Sequence, residues 1–409
     1  MSKTIPTYPN ETQAYRAIVA RQPICDGLQR TVAYELLFRD LESEQCNFGN
    51  GDDATSRVVF NAIVEIGLGR LVGPLKAFIN FTRDFILGPN CGLLPRNRVV
   101  LEILEDSIPD AKFLSGLAAL RARGYRFAMD DFNFQEQLLP FLPYCSYIKV
   151  DVRQVDLDRL IRELPSLRRS SAALVAEKVE SVEEFEFYRS LGFEYFQGYF
   201  FCKPNIVSAT TMPTNRMTLC KLVSRLQHAD VTIEEVESIM GEDPSLSYRL
   251  LRHINSAAMA IPRKIESIKH AVRMVGLDHI RTLSSMVMLS SLEDKPRELL
   301  KTSVIRARMC QLLGEGPSRK YGVYFTAGLF STLDAFLNCS METALELLPL
   351  SDEIREALLA GKGPIGNVLA AVLAFEQADW GALDKIGIDS LKVASSYLDA
   401  IRWGEELLH

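Results

Sequence analysis

Eight polar side chains of the kinds that hold metal ions or move protons stand at or near the ends of seven short apolar runs in the first half of the chain. The runs are TVAYELL with Glu35, AFINF with Asn80, VVLEI with Glu102, RFAMDDF with Asp130 and Asp131, YIKVD with Lys149, ALVAE with Glu177 and EYFQGYFF with Gln197. One acid after an apolar strand is most simply a helix cap or a solvated loop residue. The joint pattern asks for more. Glu35, Glu102 and Asp130 sit inside or at the edge of apolar stretches, where an unpaired carboxylate carries a heavy desolvation cost. Coordination to a cation offsets that cost.

These residues need elements to position them. Near-continuous apolar runs are the mark of parallel strands buried on both faces. Between the runs lie helical patterns over Asp110–Ala122, Leu157–Arg168 and Val182–Leu191. Such βα alternation predicts a TIM-like (β/α)8 barrel, whose chemistry sits at the C-terminal ends of the strands. The rhythm changes after Pro204. A tail over 1–14, a barrel over 15–204 and a Pro/Ser/Thr-bearing linker over 205–214 then lead into a helical second half over 215–409. There Thr232–Glu235 reads as a capping box, and Asp243-Pro244 as an N-cap followed by a first-turn proline. Leu246, Leu250, Leu251 and Ile254 form one apolar stripe, and the whole reads as an all-α helical bundle domain.

Composition agrees with this frame. A chain of 409 residues with 47% apolar and 24% charged content is that of a globular protein of two domains. A net charge of −6 argues against a binder of nucleic-acid polymers. The eight cysteines form no C-x-x-C pair and no zinc-ligand spacing. The polar N-terminus lacks a signal-peptide pattern and no apolar run approaches 18 residues, so the expectation is a cytoplasmic protein with reduced thiols and no membrane span.

The barrel's motifs, taken in order, resemble those of the EAL domain. Gln22-Pro23-Ile24 is similar to the opening QPI, and Glu35-Leu36-Leu37 stands at the Glu-Ala-Leu position. Ile79-Asn80-Phe81-Thr82 resembles N-x-S, Glu102-Ile103-Leu104-Glu105 resembles E-x-T-E, and Asp130-Asp131-Phe132 matches DDF. Lys149-Val150-Asp151, Ala176-Glu177-Lys178-Val179-Glu180 and Gln197-Gly198-Tyr199 resemble KID, AEGVE and QGY. The resemblance covers about residues 15–204. It implies a metal-dependent phosphodiesterase that opens cyclic di-GMP to the linear dinucleotide pGpG.

By the same resemblance Glu35, Asn80, Glu102, Asp130 and Asp131 would hold two Mg2+ or Mn2+ ions, and Glu177 would be a further ligand or the general base. Lys149 would orient the attacking water. Arg39, Gln197 and Gln22 would contact substrate, and Glu105 would anchor the loop after DDF. The residue types suit this reading, since hard divalent cations prefer carboxylate and amide oxygen and a two-metal site suits phosphodiester hydrolysis. A glycosidase-like pair of carboxylates would not call for Lys149 and so many further oxygens. The sequence departs from the family at Leu36, at Leu104, at Lys178 in place of glycine, and over Asn133–Leu139, where a glycine-rich loop is replaced. The alternative expectation is therefore an EAL-like receptor or scaffold in signal transduction.

The second half resembles an HDOD domain through Asp243-Pro244-Ser245-Leu246, Leu250-Leu251-Arg252, Asn255-Ser256-Ala257 and Ile268–Gly276. None of its histidines, among 228, 253, 270, 279 and 409, is followed by Asp, which removes the His-Asp pair of HD hydrolases. His253 and His270 read as packing residues, and Asn255-Ser256 as a helix end. The resemblance implies a module for a signalling protein partner or a homodimer, in a bacterial architecture associated with motility and biofilm.

Overall fold

Each of the seven apolar runs forms a strand in the computed structural model, and an eighth strand closes them into a barrel. The structure describes residues 17–40, 66–203, 230–241, 244–255, 265–290, 295–314, 323–346 and 350–408, with isolated positions between them. The expected tail, the whole of the expected linker, and Asp243 and Ser256-Ala257 lie outside the described residues.

The strands are β1 (Ala17–Asp26), β2 (Thr31–Asp40), β3 (Lys76–Asn80), β4 (Val99–Ile103), β5 (Arg126–Met129), β6 (Tyr147–Asp151), β7 (Ala173–Glu177) and β8 (Tyr195–Gln197). They pair in chain order around a closed barrel. The expected TIM-like barrel forms, with one of its strands reversed. β1 runs antiparallel to both β2 and β8, while the pairs from β2 to β8 are parallel. The physical reason is the short turn at Asp26–Arg30, where the Asp26 carboxylate accepts from the Leu28 and Arg30 backbone amides. A turn this short joins antiparallel strands only, since a parallel crossover needs a dozen or more residues.

Helices cover the barrel where side-chain caps start them. Asp110 accepts from Phe113 N ahead of Ala111–Ala122, Asp156 from Arg159 N ahead of Leu157–Leu167, and Ser181 from Glu184 N ahead of Val182–Ser190. Inside the barrel, alternating residues stack in layers. Ile24, Ala33, Phe78, Val100, Ala128, Tyr147 and Val175 form the apolar lower layer. Two residues further along the central strands, the next inward positions are Glu35, Asn80, Glu102, Asp130, Lys149, Glu177 and Gln197.

The second half is helical as expected, from Ile233–Gly241 to Ser390–Leu408. The Thr232–Glu235 capping box forms in both directions. Asn255 donates to Leu251 O and exchanges hydrogen bonds with both backbone groups of Ile265, which makes it a helix-end tie. The apolar stretch Asp352–Glu376 has a mean hydropathy of 1.5 over its most apolar window. It is broken into Asp352–Ala360 and Gly363–Glu376 at Gly361, whose φ is +63°.

The two halves share a core. β1 meets β8 only over Ile24–Asp26, which leaves its earlier residues without a strand on that side, and an open edge of this kind is normally covered. Ile18 and Ala20 pack with Ile305, Met309, Phe375, Tyr397 and Ile401 of the helical half. Polar contacts add to this. Glu298 accepts from Thr31 Oγ1 at 2.8 Å and Tyr34 OH at 3.1 Å, and Lys301 Nζ reaches Tyr34 OH at 2.9 Å.

Candidate active site

Lys149 stands at the centre of the upper barrel layer. Its Nζ lies 2.6 Å from Glu102, 2.7 Å from Asp130, 2.9 Å from Glu177 and 3.2 Å from Glu35. Lys149 and Glu102 are fully buried, and Glu35 and Glu177 nearly so. The strand register explains the convergence. Cross-strand partners Asn80↔Glu102 and the inward alternation of β4 to β7 bring residues far apart in sequence to one height.

Burial and mutual repulsion set the protonation of this cluster. Burial would depress the Lys149 ammonium, and Asp130, Glu102, Glu177 and Glu35 more than offset it, so its pKa lies well above the usual lysine range. Burial drives Glu102 well above the carboxylate range, with Lys149 opposing. Glu177 is pushed up to about 8, again chiefly by burial. Asp131 is raised by burial and by the neighbouring Asp130.

Gln197 holds Glu35 in place. Its Nε2 donates to Glu35 Oε2 at 2.6 Å and to Gln22 Oε1 at 2.9 Å, and Asn80 Nδ2 approaches Glu35 Oε1 at 3.4 Å. Gln22 and Gln197, expected to touch substrate, are here the support of Glu35. Gly198 makes this possible. Its φ is +143°, and a Cβ there would come 2.1 Å from Val179 O. No side chain fits.

The loop after Asp131 has its own means of support. Asp131 and Phe134 take φ of 41° and 63°. Phe132 and Phe134 pack edge to face at 5.0 Å, and Arg159 donates to Phe134 O at 2.8 Å while covering the Phe134 ring. Packed aromatics thus support a loop in which Asn133 and Gln135 stand where the family has glycines. One carboxylate oxygen from each of Glu105, Asp130 and Asp131 lies within 4.8 Å of the others, which brings Glu105 to the rim of the site.

Two pairings were not legible in the sequence. Lys178 occupies the left-handed region with φ 58°, a conformation that favours the glycine it replaces. Its Nζ pairs at 2.5 Å with Asp151, which is buried at the end of β6. The strand-end signal that singled out Lys149 applied equally to Asp151. Arg39, expected to grip a phosphate, forms a fork to Asp384 of the helical half, at 2.9 and 2.7 Å.

The donor chemistry fits hard divalent cations. Asn80 Oδ1, Glu102 Oε2, Glu177 Oε2 and Gln197 Oε1 are buried oxygens with no hydrogen-bond donor, and unsatisfied buried acceptors are rare without a function. Glu35, Glu102, Asp130 and Glu177 surround the Lys149 ammonium, with Asp131 next to Asp130. Acidic groups outnumber the cations at the site, an imbalance that bound divalent cations would offset.

Comparison with known proteins agrees with the architecture. The EAL domain model matches residues 80–204 and the HDOD domain model residues 212–382. The chain is 33% identical over 409 residues to the cyclic di-GMP phosphodiesterase CdgJ of Vibrio cholerae, covering 98% of this chain and 95% of that protein. It is 31% identical over 405 residues to the uncharacterized protein YuxH of Bacillus subtilis, covering 96% and 99%. Among solved structures, the Klebsiella pneumoniae BlrP1 manganese and cyclic di-GMP complex is 23% identical with a TM-score of 0.39, covering 47% of this chain and 57% of that one. The chain belongs to the two-domain family in which an EAL domain is followed by an HDOD domain.

Proposed function

We propose that the barrel hydrolyses cyclic di-GMP to linear pGpG with two Mg2+ or Mn2+ ions. The observation that carries this reading is the cage of four carboxylates around Lys149, together with its unpaired buried oxygens. Glu35, Asn80, Glu102, Asp130 and Asp131 would hold the cations, and Glu105 is near enough to the two aspartates to join them. Bound there, such ions would neutralise phosphate charge and make a water easier to deprotonate.

The chain's own groups supply the rest. Lys149 keeps four mutually repelling carboxylates converged and presents a fixed positive charge to the phosphate. Glu177, with an unpaired buried Oε2, takes the proton of the attacking water as a carboxylate, the form that cations bound beside it would favour. Gln197 and Gln22 fix the rotamer of Glu35. Arg39 provides a guanidinium for a phosphate oxygen once it leaves Asp384. The helical half regulates the barrel through the shared core and serves a protein partner or a second copy.

A second reading, a receptor that binds cyclic di-GMP without turnover, is favoured by one observation. Lys178, where the family motif has glycine, sets an extra ammonium on Asp151, from where it acts electrostatically on Asp131 and Glu177. Chromatography of full-length protein incubated with cyclic di-GMP and Mn2+ separates the two. The enzyme yields linear dinucleotide. Unchanged cyclic di-GMP over folded protein leaves the receptor.

A further inference from the structure

The β1–β2 ribbon carries the site's inward face beyond the carboxylate layer. Gln22 pairs with Glu35, Ala20 with Leu37 and Ile18 with Arg39 across the ribbon. Strand alternation therefore puts Ile18, Ala20, Leu37 and Arg39 on the face that bears Glu35. Beyond the carboxylates this face meets protein rather than open solvent. Ile18 and Ala20 pack with Ile305, Phe375 and Tyr397, and Leu37 lies against the same cluster. The helical half thus forms one wall of the barrel mouth.

From that wall, the helix Trp380–Ile386 supplies Asp384. Arg39 Nη1 donates to Asp384 Oδ1 at 2.9 Å and Nη2 donates to Oδ2 at 2.7 Å. The Arg39 side chain is 10% exposed and that of Asp384 is 50% exposed. The cation is fixed against the ribbon while its acidic partner remains open to water. A carboxylate fork and a phosphate ask for the same face of a guanidinium, in the same planar geometry.

We propose that the Arg39–Asp384 fork is an autoinhibitory clasp, in which the helical half withholds the Arg39 guanidinium from the barrel mouth. The proposal rests on the reading of the barrel as a cyclic di-GMP site. A phosphodiester entering the mouth must take Arg39 from Asp384, and anything that shifts the helix Trp380–Ile386 opens the fork. The helical half needs no other contact with the nucleotide to control the site. The clasp's strength is limited by the exposure of Asp384, since half-exposed ion pairs are weak. It lowers apparent affinity through the fraction of molecules in which Arg39 is released.

The test uses full-length protein in a Glu177→Gln background, which suppresses turnover, and titrates cyclic di-GMP calorimetrically with Mn2+ present. Asp384→Asn keeps the shape of the side chain and removes its charge. It is expected to tighten binding by about threefold to tenfold, and Asp384→Lys to do so at least as strongly. With Arg39→Ala also present, the effect of Asp384→Asn disappears. Equal affinity for the wild-type acid and Asp384→Asn overturns the clasp and leaves the nucleotide reading standing. No binding in any variant overturns both.

Discussion

Replacing Lys149 by Met tests the electrostatics of the site without a substrate. The ammonium lies within 3.2 Å of four carboxylates and is fully buried. Its removal leaves Glu35, Glu102, Asp130 and Glu177 facing one another. Breaking a buried ion pair by deleting one partner costs about 3–5 kcal/mol, and at roughly 2–4 °C per kcal/mol for a domain of this size the melting temperature should fall by about 6–20 °C at pH 7.5 in EDTA. The loss should shrink in acid. Burial pushes Glu177 up to about 8 in the fold, from the 4.5 of an ordinary glutamate. Between those values the folded state holds a proton that the unfolded chain has lost, so stability falls as pH rises through this window. Without Lys149 the carboxyls hold protons more tightly still, so the variant should lose stability with rising pH more steeply than wild type. Mn2+ at a hundred times its dissociation constant should return about 2.7 kcal/mol. Differential scanning fluorimetry at pH 5.5 and 7.5, with EDTA or Mn2+, reads all of these. A variant melting within 2 °C of wild type at both pH values (about 1 kcal/mol or less) would refute the cage.

Other outcomes follow from the same geometry. Glu177→Gln should cut turnover at least about a hundredfold while cyclic di-GMP binding persists in calorimetry, because the amide keeps the shape and loses the base. Gly198→Ala should destabilise the barrel by about 1–3 kcal/mol in urea, since the added Cβ meets the Val179 backbone at 2.1 Å. A variant as stable as wild type would contradict the close approach. Tyr34→Phe should cost about 1–3 kcal/mol in the same assay, because Glu298 and Lys301 lose a buried hydroxyl partner across the two halves.

Much of the barrel was legible because buried parallel strands write themselves as apolar runs, and a metal-type residue inside such a run must face a counter-charge. Glu102 and Lys149 show this directly: both are polar residues in apolar strands, and each is the other's nearest partner. β1 was harder to read. Its residues AIVARQPICD carry the QPI motif, yet nothing in them declares an antiparallel strand, because direction is set by the Asp26 turn. The meeting of the halves was not legible either. Arg39 and Asp384 are 345 positions apart, and neither stands in a pattern that names the other. Lys178 was visible as a departure from glycine, but its left-handed backbone and its hold on Asp151 are consequences of β6 and β7 lying side by side.

The central claim is that the carboxylate cage is a two-cation site. Equilibrium dialysis of full-length protein against Mn2+ at pH 7.5, with Glu102→Gln beside it, tests that claim most directly. Two equivalents should bind per wild-type chain, and Glu102→Gln should lose stoichiometry or bind at least about tenfold more weakly. Wild-type protein that binds no Mn2+ at this pH, or binds it equally well with Glu102→Gln, would contradict it.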